Sequence, residues 1–214
     1  MFAIHALYHG RSRRRADYIR DVAEALAATS AVSDVRLYGA EGFAVVSPDA
    51  DGATTVVLNL LQAGDFAVGV GAIIGGADAG LTDPGAAGGT GDFREQLFGA
   101  AARSFGRQHR PATVTTRVEL PGPGGARAPG TPADVADDVT AAFTLLAHVL
   151  TRRTPEGREA TALMRQGYLQ TEAAEEVGIS KQAMSQRLAA AGWQAEQAGW
   201  TLAVHMLRRV TELV

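Results

Sequence analysis

A row of polar side chains near the C-terminal end of the chain could form hydrogen bonds with the base edges of a nucleic acid. The row consists of Ser180, Lys181, Gln182, Ser185 and Gln186. On a helix, this spacing places the polar side chains on the outer face, opposite the apolar residues that face inward. Hydroxyl, ammonium and carboxamide groups match the donors and acceptors of the DNA major groove. We therefore predict that these residues contact bases.

The residues that precede and surround this row have the spacing of a helix-turn-helix, in which two short helices cross steeply at a tight turn. Ala174 is small where the helices must touch, and Gly178 accepts the positive φ that the turn requires. Ile179 fills the turn, and Ser180 is a favoured N-cap. The predicted helices span about 155–166, 170–177 and 180–191.

Arginines beside this unit are candidates for contacts with DNA phosphates. They are Arg152, Arg153, Arg165 and Arg187. The chain is close to neutral from Thr151 onward, so we expect modest affinity from one copy. This predicts a homodimer that reads two half-sites of double-stranded DNA about one helical turn apart, ~34 Å. The last predicted helix, Trp193 to Leu213, could pack on this unit or pair with a second chain.

Composition excludes several other classes of site and location. The 214 residues contain no cysteine, which excludes disulfides, cysteine nucleophiles and zinc fingers that use cysteine. Neither a membrane-spanning segment nor a signal peptide is predicted, so we expect a cytoplasmic protein with no membrane partner. The net charge of −3 argues mildly against nucleic-acid binding by the chain as a whole.

The N-terminal half must position or regulate this unit. Its apolar patterns predict the order strand, helix, hairpin, helix, strand, helix, strand. That order predicts an α+β sandwich with an antiparallel sheet and helices on one face. We place this domain at 1–118, a Pro/Gly linker at 119–132 and an all-α helix-turn-helix domain at 133–214.

A glycine-rich stretch, Gly69 to Gly75, is similar to a dinucleotide-binding fingerprint. A true fingerprint opens a helix whose N-terminus holds the pyrophosphate. Here a Gly/Ala-rich loop, predicted over 75–91, follows instead. We therefore interpret the glycines as small residues that allow close packing.

Several of these pieces together resemble the SatD family and its actinobacterial relatives. The matching pieces are Ser12-Arg13 after the first strand, the hairpin Leu37 to Val45, the strand Phe66 to Ala72, the helix after Gly91 and the run Gly178 to Trp193. The resemblance implies a ferredoxin-like or cyclase-like domain, similar to the class III nucleotidyl cyclase or GGDEF fold, coupled to a C-terminal helix-turn-helix. It also implies a regulatory protein.

The acids that cyclase chemistry needs are not all present. Two carboxylates must hold divalent metal at a triphosphate. No acid precedes Asp17, and the hairpin carries Gly39-Ala40-Glu41 where relatives tend to have Gly-Asp-Glu. We therefore expect a non-catalytic domain with no metal or cofactor, used for dimerisation or for sensing an unknown small molecule. A nucleotide-binding or nucleotide-converting protein and a protein-interaction module remain the alternative hypotheses.

Overall fold

Five strands form one mixed sheet in the computed structural model, which describes residues 1–75, 89–106, 109–122 and 125–213. The strands are β1 (Phe2–Tyr8), β2 (Asp34–Leu37), β3 (Gly42–Ser47), β4 (Phe66–Ile73) and β5 (Val114–Glu119). Their spatial order is β2-β3-β1-β4-β5. β2 and β3 pair antiparallel, which confirms the predicted hairpin. The fold is α+β, as predicted.

Helices alternate with these strands and then follow them. They are α1 (Arg15–Ala27), α2 (Ala50–Ala63), α3 (Gly89–Ser104), α4 (Thr131–Thr151), α5 (Pro155–Arg165), α6 (Gln170–Glu176), α7 (Lys181–Ala190) and α8 (Trp193–Thr211). α3 begins three residues before the predicted Asp92. Residues 89–91 of the loop predicted over 75–91 therefore belong to this helix. Residues 76–88 of that loop lie outside the described residues. No helix within the described ranges combines the length and the apolar character that a bilayer crossing requires.

The sheet differs from the predicted one in two respects. β4 and β5 are parallel, because α3 crosses over between them. Helices also cover both faces. Phe2, Phe43 and Val68 pack into the main core, whereas Ala3 and Val46 pack into a second cluster with residues of α3. The central strands are apolar on both sides, so each face must be covered. The predictions of an antiparallel sheet and of helices on one face are wrong.

Glycine allows α3 to lie directly on β4. A Cβ atom added to Gly71 would lie 2.2 Å from the backbone nitrogen of Ala101, and one added to Gly69 would lie 2.5 Å from the carbonyl oxygen of the same residue. Any side chain at these positions would push the helix off the sheet. The interpretation of this glycine-rich strand as a close-packing surface is confirmed.

The described residues of the predicted linker over 119–132 pair with the end of β5. Leu120 N donates to Ala126 O at 2.9 Å, and Ala128 N donates to Val118 O at 3.0 Å. The next helix, α4, packs on the sheet, where Thr116 N donates to Thr140 Oγ1 at 3.0 Å. The two backbone hydrogen bonds after β5 hold Leu120, Ala126 and Ala128 beside that strand. The described residues of this segment therefore do not act as a flexible spacer.

The last helix, α8, also belongs to the core of the sheet. Val139 and Phe143 of α4 and Val204 and Leu207 of α8 are buried in the same cluster as Phe2 of β1. The predicted domain boundary is corrected accordingly, because α4 and α8 complete the N-terminal core. The apolar side of α8 packs within the chain on α4 and α2. α5, α6 and α7, here called the three-helix unit, lie between these two core helices in the sequence.

Candidate nucleic-acid interface

The three-helix unit has an apolar core of its own. Its buried residues are Ala160, Ala173, Ala174, Met184 and Leu188. The first helix starts where Thr154 accepts a hydrogen bond from Gly157 N at 3.1 Å, with Pro155 in its first turn. The helices lie at the predicted positions because caps, turn and apolar spacing all agree locally.

A tight turn joins α6 to α7. Gly178 has a φ of 69°, in the left-handed region that glycine adopts readily. Ile179 N donates to Ala174 O at 2.9 Å, which closes the end of α6. Ser180 Oγ then accepts from Ala183 N at 3.1 Å and caps α7. Gln170 Nε2 donates to Lys181 O at 3.2 Å, so a side chain also ties the two helices together.

The predicted base-contacting residues lie on the outer side of α7. Lys181, Gln182, Ser185 and Gln186 are exposed, as is the capping residue Ser180. Met184 and Leu188 on the opposite side are buried and fix the rotation of the helix. The outer side therefore presents one ammonium, one hydroxyl and two carboxamides to solvent, besides the capping hydroxyl. These groups can both donate and accept hydrogen bonds.

Two of the predicted phosphate-binding arginines remain accessible. Arg152, just after α4, is exposed. Arg187 has a side chain that is 25% exposed and lies 3.7 Å from Glu159 Oε2. A pair at this distance and exposure is weak, so the guanidinium can exchange it for another anion.

Arg153 is not available to a phosphate, and the prediction for it is wrong. Its side chain is 2% exposed and lies 2.6 Å from Glu196 Oε2. Its Nε also donates to Ala191 O at 2.7 Å. Burial lowers the pKa of Arg153, and the nearby Glu196 carboxylate opposes that shift. The residue joins α4 to α8 and to the end of α7 from inside the fold.

Arg165 is held by the same carboxylate. It donates from Nε to Glu196 Oε1 at 2.7 Å and from Nη2 to Oε2 at 2.8 Å. This bidentate geometry is the strong form of the interaction. A phosphate contact by Arg165 would leave the 4% exposed Glu196 short of a partner, so the structure opposes that predicted role.

The residue that organises these arginines was not predicted from the sequence. Glu196 lies on α8, a helix interpreted only by its apolar positions. A signal was present, since Glu196 is the only acid between Glu176 and Glu212. A single carboxylate in a long segment that carries several cations is a candidate for a buried pair.

The charges around α7 are mixed. The helix carries Lys181 and Arg187, whereas the neighbouring α6 exposes Glu172, Glu175 and Glu176. Phosphate attraction usually supplies much of the affinity for DNA. The three-helix unit on its own therefore contributes little electrostatic attraction to DNA.

The hairpin between β2 and β3 lies beside the end of β1, where Tyr8 N donates to Glu41 O at 2.9 Å. Glu41 is exposed. Among the described residues, no three acids or histidines are grouped closely enough to hold a metal ion.

In comparisons with known proteins, no family model, no curated protein and no solved structure matches this chain. The arrangement of its side chains is therefore the basis for the functional assignment.

Proposed function

We propose that this chain is a DNA-binding transcriptional regulator in which the three-helix unit acts as a helix-turn-helix. In this proposal α7 enters the major groove. The observation that supports it is the exposed polar row Lys181, Gln182, Ser185 and Gln186 on a helix whose other side is locked in an apolar core. A rigid helix that projects several donors and acceptors is what direct readout of base edges needs. Arg187 and Arg152 supply phosphate contacts in this proposal.

The acidic surface of α6 makes a second copy part of the proposal. One copy offers few cations to the phosphates, so two copies on one duplex would provide the missing affinity. Leu145 of α4 is 65% exposed and Leu202 of α8 is 42% exposed, on two helices that pack on each other. We propose that the contact between copies lies there, on the exposed side of these two helices.

The dimer is tested by sedimentation velocity on Leu145→Gln/Leu202→Gln. The expected result is a monomer with unchanged thermal unfolding. Leu37→Gln, at a leucine of the edge strand that is 48% exposed, is the matched control and should leave the dimer intact. A wild-type chain that sediments as a monomer at all concentrations would remove this part of the proposal.

The readout is tested by selecting bound sequences from a random duplex library and measuring their affinity by fluorescence anisotropy. Gln182→Ala/Gln186→Ala should weaken the preferred sequence by at least tenfold while changing non-specific binding little. Arg187→Ala should weaken both. Gln166→Ala, at an exposed glutamine after α5, is the control. Recovery of no preferred sequence would contradict specific readout.

A second candidate function is protein binding through the same unit. The three exposed glutamates of α6 favour it, because they suit a basic protein surface better than a phosphate backbone. Glu172→Gln/Glu175→Gln/Glu176→Gln distinguishes the two. The substitution should strengthen DNA binding under the first proposal and abolish partner binding under the second.

A further inference from the structure

A cavity of about 420 Å³ lies between α2 of the sheet core and the helices α5 and α8. Its walls come from Leu58, Asn59 and Gln62 on one side and from Trp193, Gln197 and Trp200 on the other. Its volume is within the range of small-molecule sites, roughly 300–1,000 Å³. The cavity therefore has the size for a compact organic ligand and lies where the core meets the three-helix unit.

The walls combine flat aromatic surface with neutral hydrogen-bonding groups. Trp193 and Trp200 are each only partly buried. Within the described residues, the carboxamides of Asn59, Gln62 and Gln197 form no intramolecular hydrogen bond. Carboxamides that line a cavity beside an aromatic wall and have no protein partner are suited to a ligand that carries both donors and acceptors on a flat ring.

The charged groups at the cavity are already paired. Arg165 and Glu196 both line it, and they bind each other at 2.7 and 2.8 Å. Arg165 also lies 5.9 Å from the ring centre of Trp193. The cavity therefore offers no uncompensated cation to a phosphate and no uncompensated anion to an amine, which selects for an uncharged ligand.

We propose that this cavity binds a planar, uncharged nitrogen heterocycle of nucleoside size. A carboxamide can pair with adjacent donor and acceptor atoms of such a ring, as asparagine and glutamine do with adenine. Base-on-aromatic stacking provides the other main contact. The paired state of Arg165 predicts that a nucleoside binds better than its phosphorylated form.

The position of the cavity links it to α7. Trp193 and Gln197 also line a neighbouring groove of about 510 Å³ that contains Ser185 and Ala189 of α7. A ligand that contacts Trp193 thus touches a side chain that packs against the core of the three-helix unit. We expect occupancy to change the affinity of α7 for DNA, a consequence that rests on the proposed function, whereas binding itself does not.

The binding test uses the full chain in isothermal titration calorimetry with adenosine, guanosine, cytidine and uridine, and then with their 5′-monophosphates. At least one nucleoside should bind saturably, and its monophosphate should bind about tenfold more weakly or worse. Equal or tighter binding of the monophosphate would contradict the uncharged-ligand inference. An absence of saturable heat with all four nucleosides into the millimolar range would overturn the site.

Variants then locate the binding. Gln62→Ala and Gln197→Ala, at a half-buried and an exposed residue of the cavity wall, should each reduce affinity several-fold, and Trp200→Leu about tenfold or more. Gln194→Ala, at an exposed α8 glutamine outside this cavity, should have no effect. Thermal unfolding checks that Trp200→Leu is folded. Wild-type affinity in both glutamine variants would place the ligand elsewhere.

DNA binding by the same preparations separates the two proposals. If the nucleoside does not bind but the chain still selects a DNA sequence, only the cavity inference fails. If the nucleoside binds and no DNA sequence is selected, the site stands and the proposed function fails. If both bind but the nucleoside leaves the DNA affinity unchanged, the coupling through Trp193 is refuted.

Discussion

The guanidinium of Arg153 lies 2.6 Å from the carboxylate of Glu196, and the two side chains are only 2% and 4% exposed. Arg165 binds the same carboxylate from α5. Arg153 follows the core helix α4 and Glu196 lies on the core helix α8, so the cluster fixes the three-helix unit to the sheet core. A buried charge is tolerated only when it is paired, which makes Glu196 the sensitive member of the cluster.

Glu196→Ala should reduce the free energy of unfolding by about 3–5 kcal/mol, because it leaves the buried Arg153 without its counter-ion. Urea denaturation followed by circular dichroism measures this. Glu175→Ala, at an exposed position of α6, should change stability by less than about 0.5 kcal/mol. Near-equal stability of Glu196→Ala and wild type would show that the cluster does not hold the unit to the core.

His5 on β1 makes the stability depend on pH. Both of its ring nitrogens are buried without a hydrogen-bond partner, and its ring lies 4.9 Å from that of Tyr38 and 5.4 Å from that of Phe105. Burial lowers the pKa of His5 from 6.5 to about 4. The unfolded chain therefore takes up a proton below about pH 6.5 that the folded chain takes up only near pH 4. Stability is complete above this window and is lost as the pH falls through it.

The wild type should lose more unfolding free energy than His5→Leu when the pH falls from 7 to 4. We expect this extra loss to be about 2 kcal/mol, a value lowered to allow for the partial exposure of the ring. Urea unfolding at several pH values measures the free energy of unfolding of both chains. The carboxylate titrations are common to both, so they cancel in the difference. His148→Gln, at an exposed position of α4, should keep the wild-type profile. Parallel profiles for wild type and His5→Leu would mean that this histidine ring is solvated.

Gly71→Ala tests the contact between β4 and α3. The added Cβ would lie 2.2 Å from the backbone nitrogen of Ala101, so the helix must move. We expect a loss of about 3 kcal/mol, measured by thermal unfolding. Gly106→Ala is the matched control, because its added Cβ would meet nothing within 4 Å. A Gly71→Ala chain as stable as wild type would show that α3 is free to shift.

The elements could be predicted from the sequence because their signals are local. The hairpin turn between Leu37 and Gly42 and the caps at Thr154 and Ser180 depend on neighbours a few residues away. The exposed row on α7 follows from the same spacing.

The arrangement of the elements could not be predicted in the same way. The unbroken apolar run Phe66–Ile73 indicates a strand that is covered on both faces. Which helix lies on which face depends on contacts between residues far apart in the sequence. Gly125, after β5, lies beside Glu119, which is 1% exposed and bound by Arg103 of α3. The burial of Arg153 likewise requires Glu196 from a distant helix.

Ser180 allows the local structure and the proposed function to be tested separately. Its hydroxyl caps α7 at 3.1 Å, so Ser180→Ala should cost about 1 kcal/mol of stability. Thr154→Ala at the cap of α5 should cost a similar amount.

Ser180→Asp keeps an oxygen acceptor at the cap and places a negative charge at the positive end of the α7 dipole, so it should be at least as stable as wild type. If this end of α7 lies in the major groove, the same carboxylate meets the phosphates and should weaken DNA binding at least tenfold at low salt, with a smaller effect as salt rises. Anisotropy at two salt concentrations, together with the melting temperature, separates these effects. A stable Ser180→Asp chain that binds DNA as tightly as wild type would mean that α7 does not enter the duplex by its N-terminus.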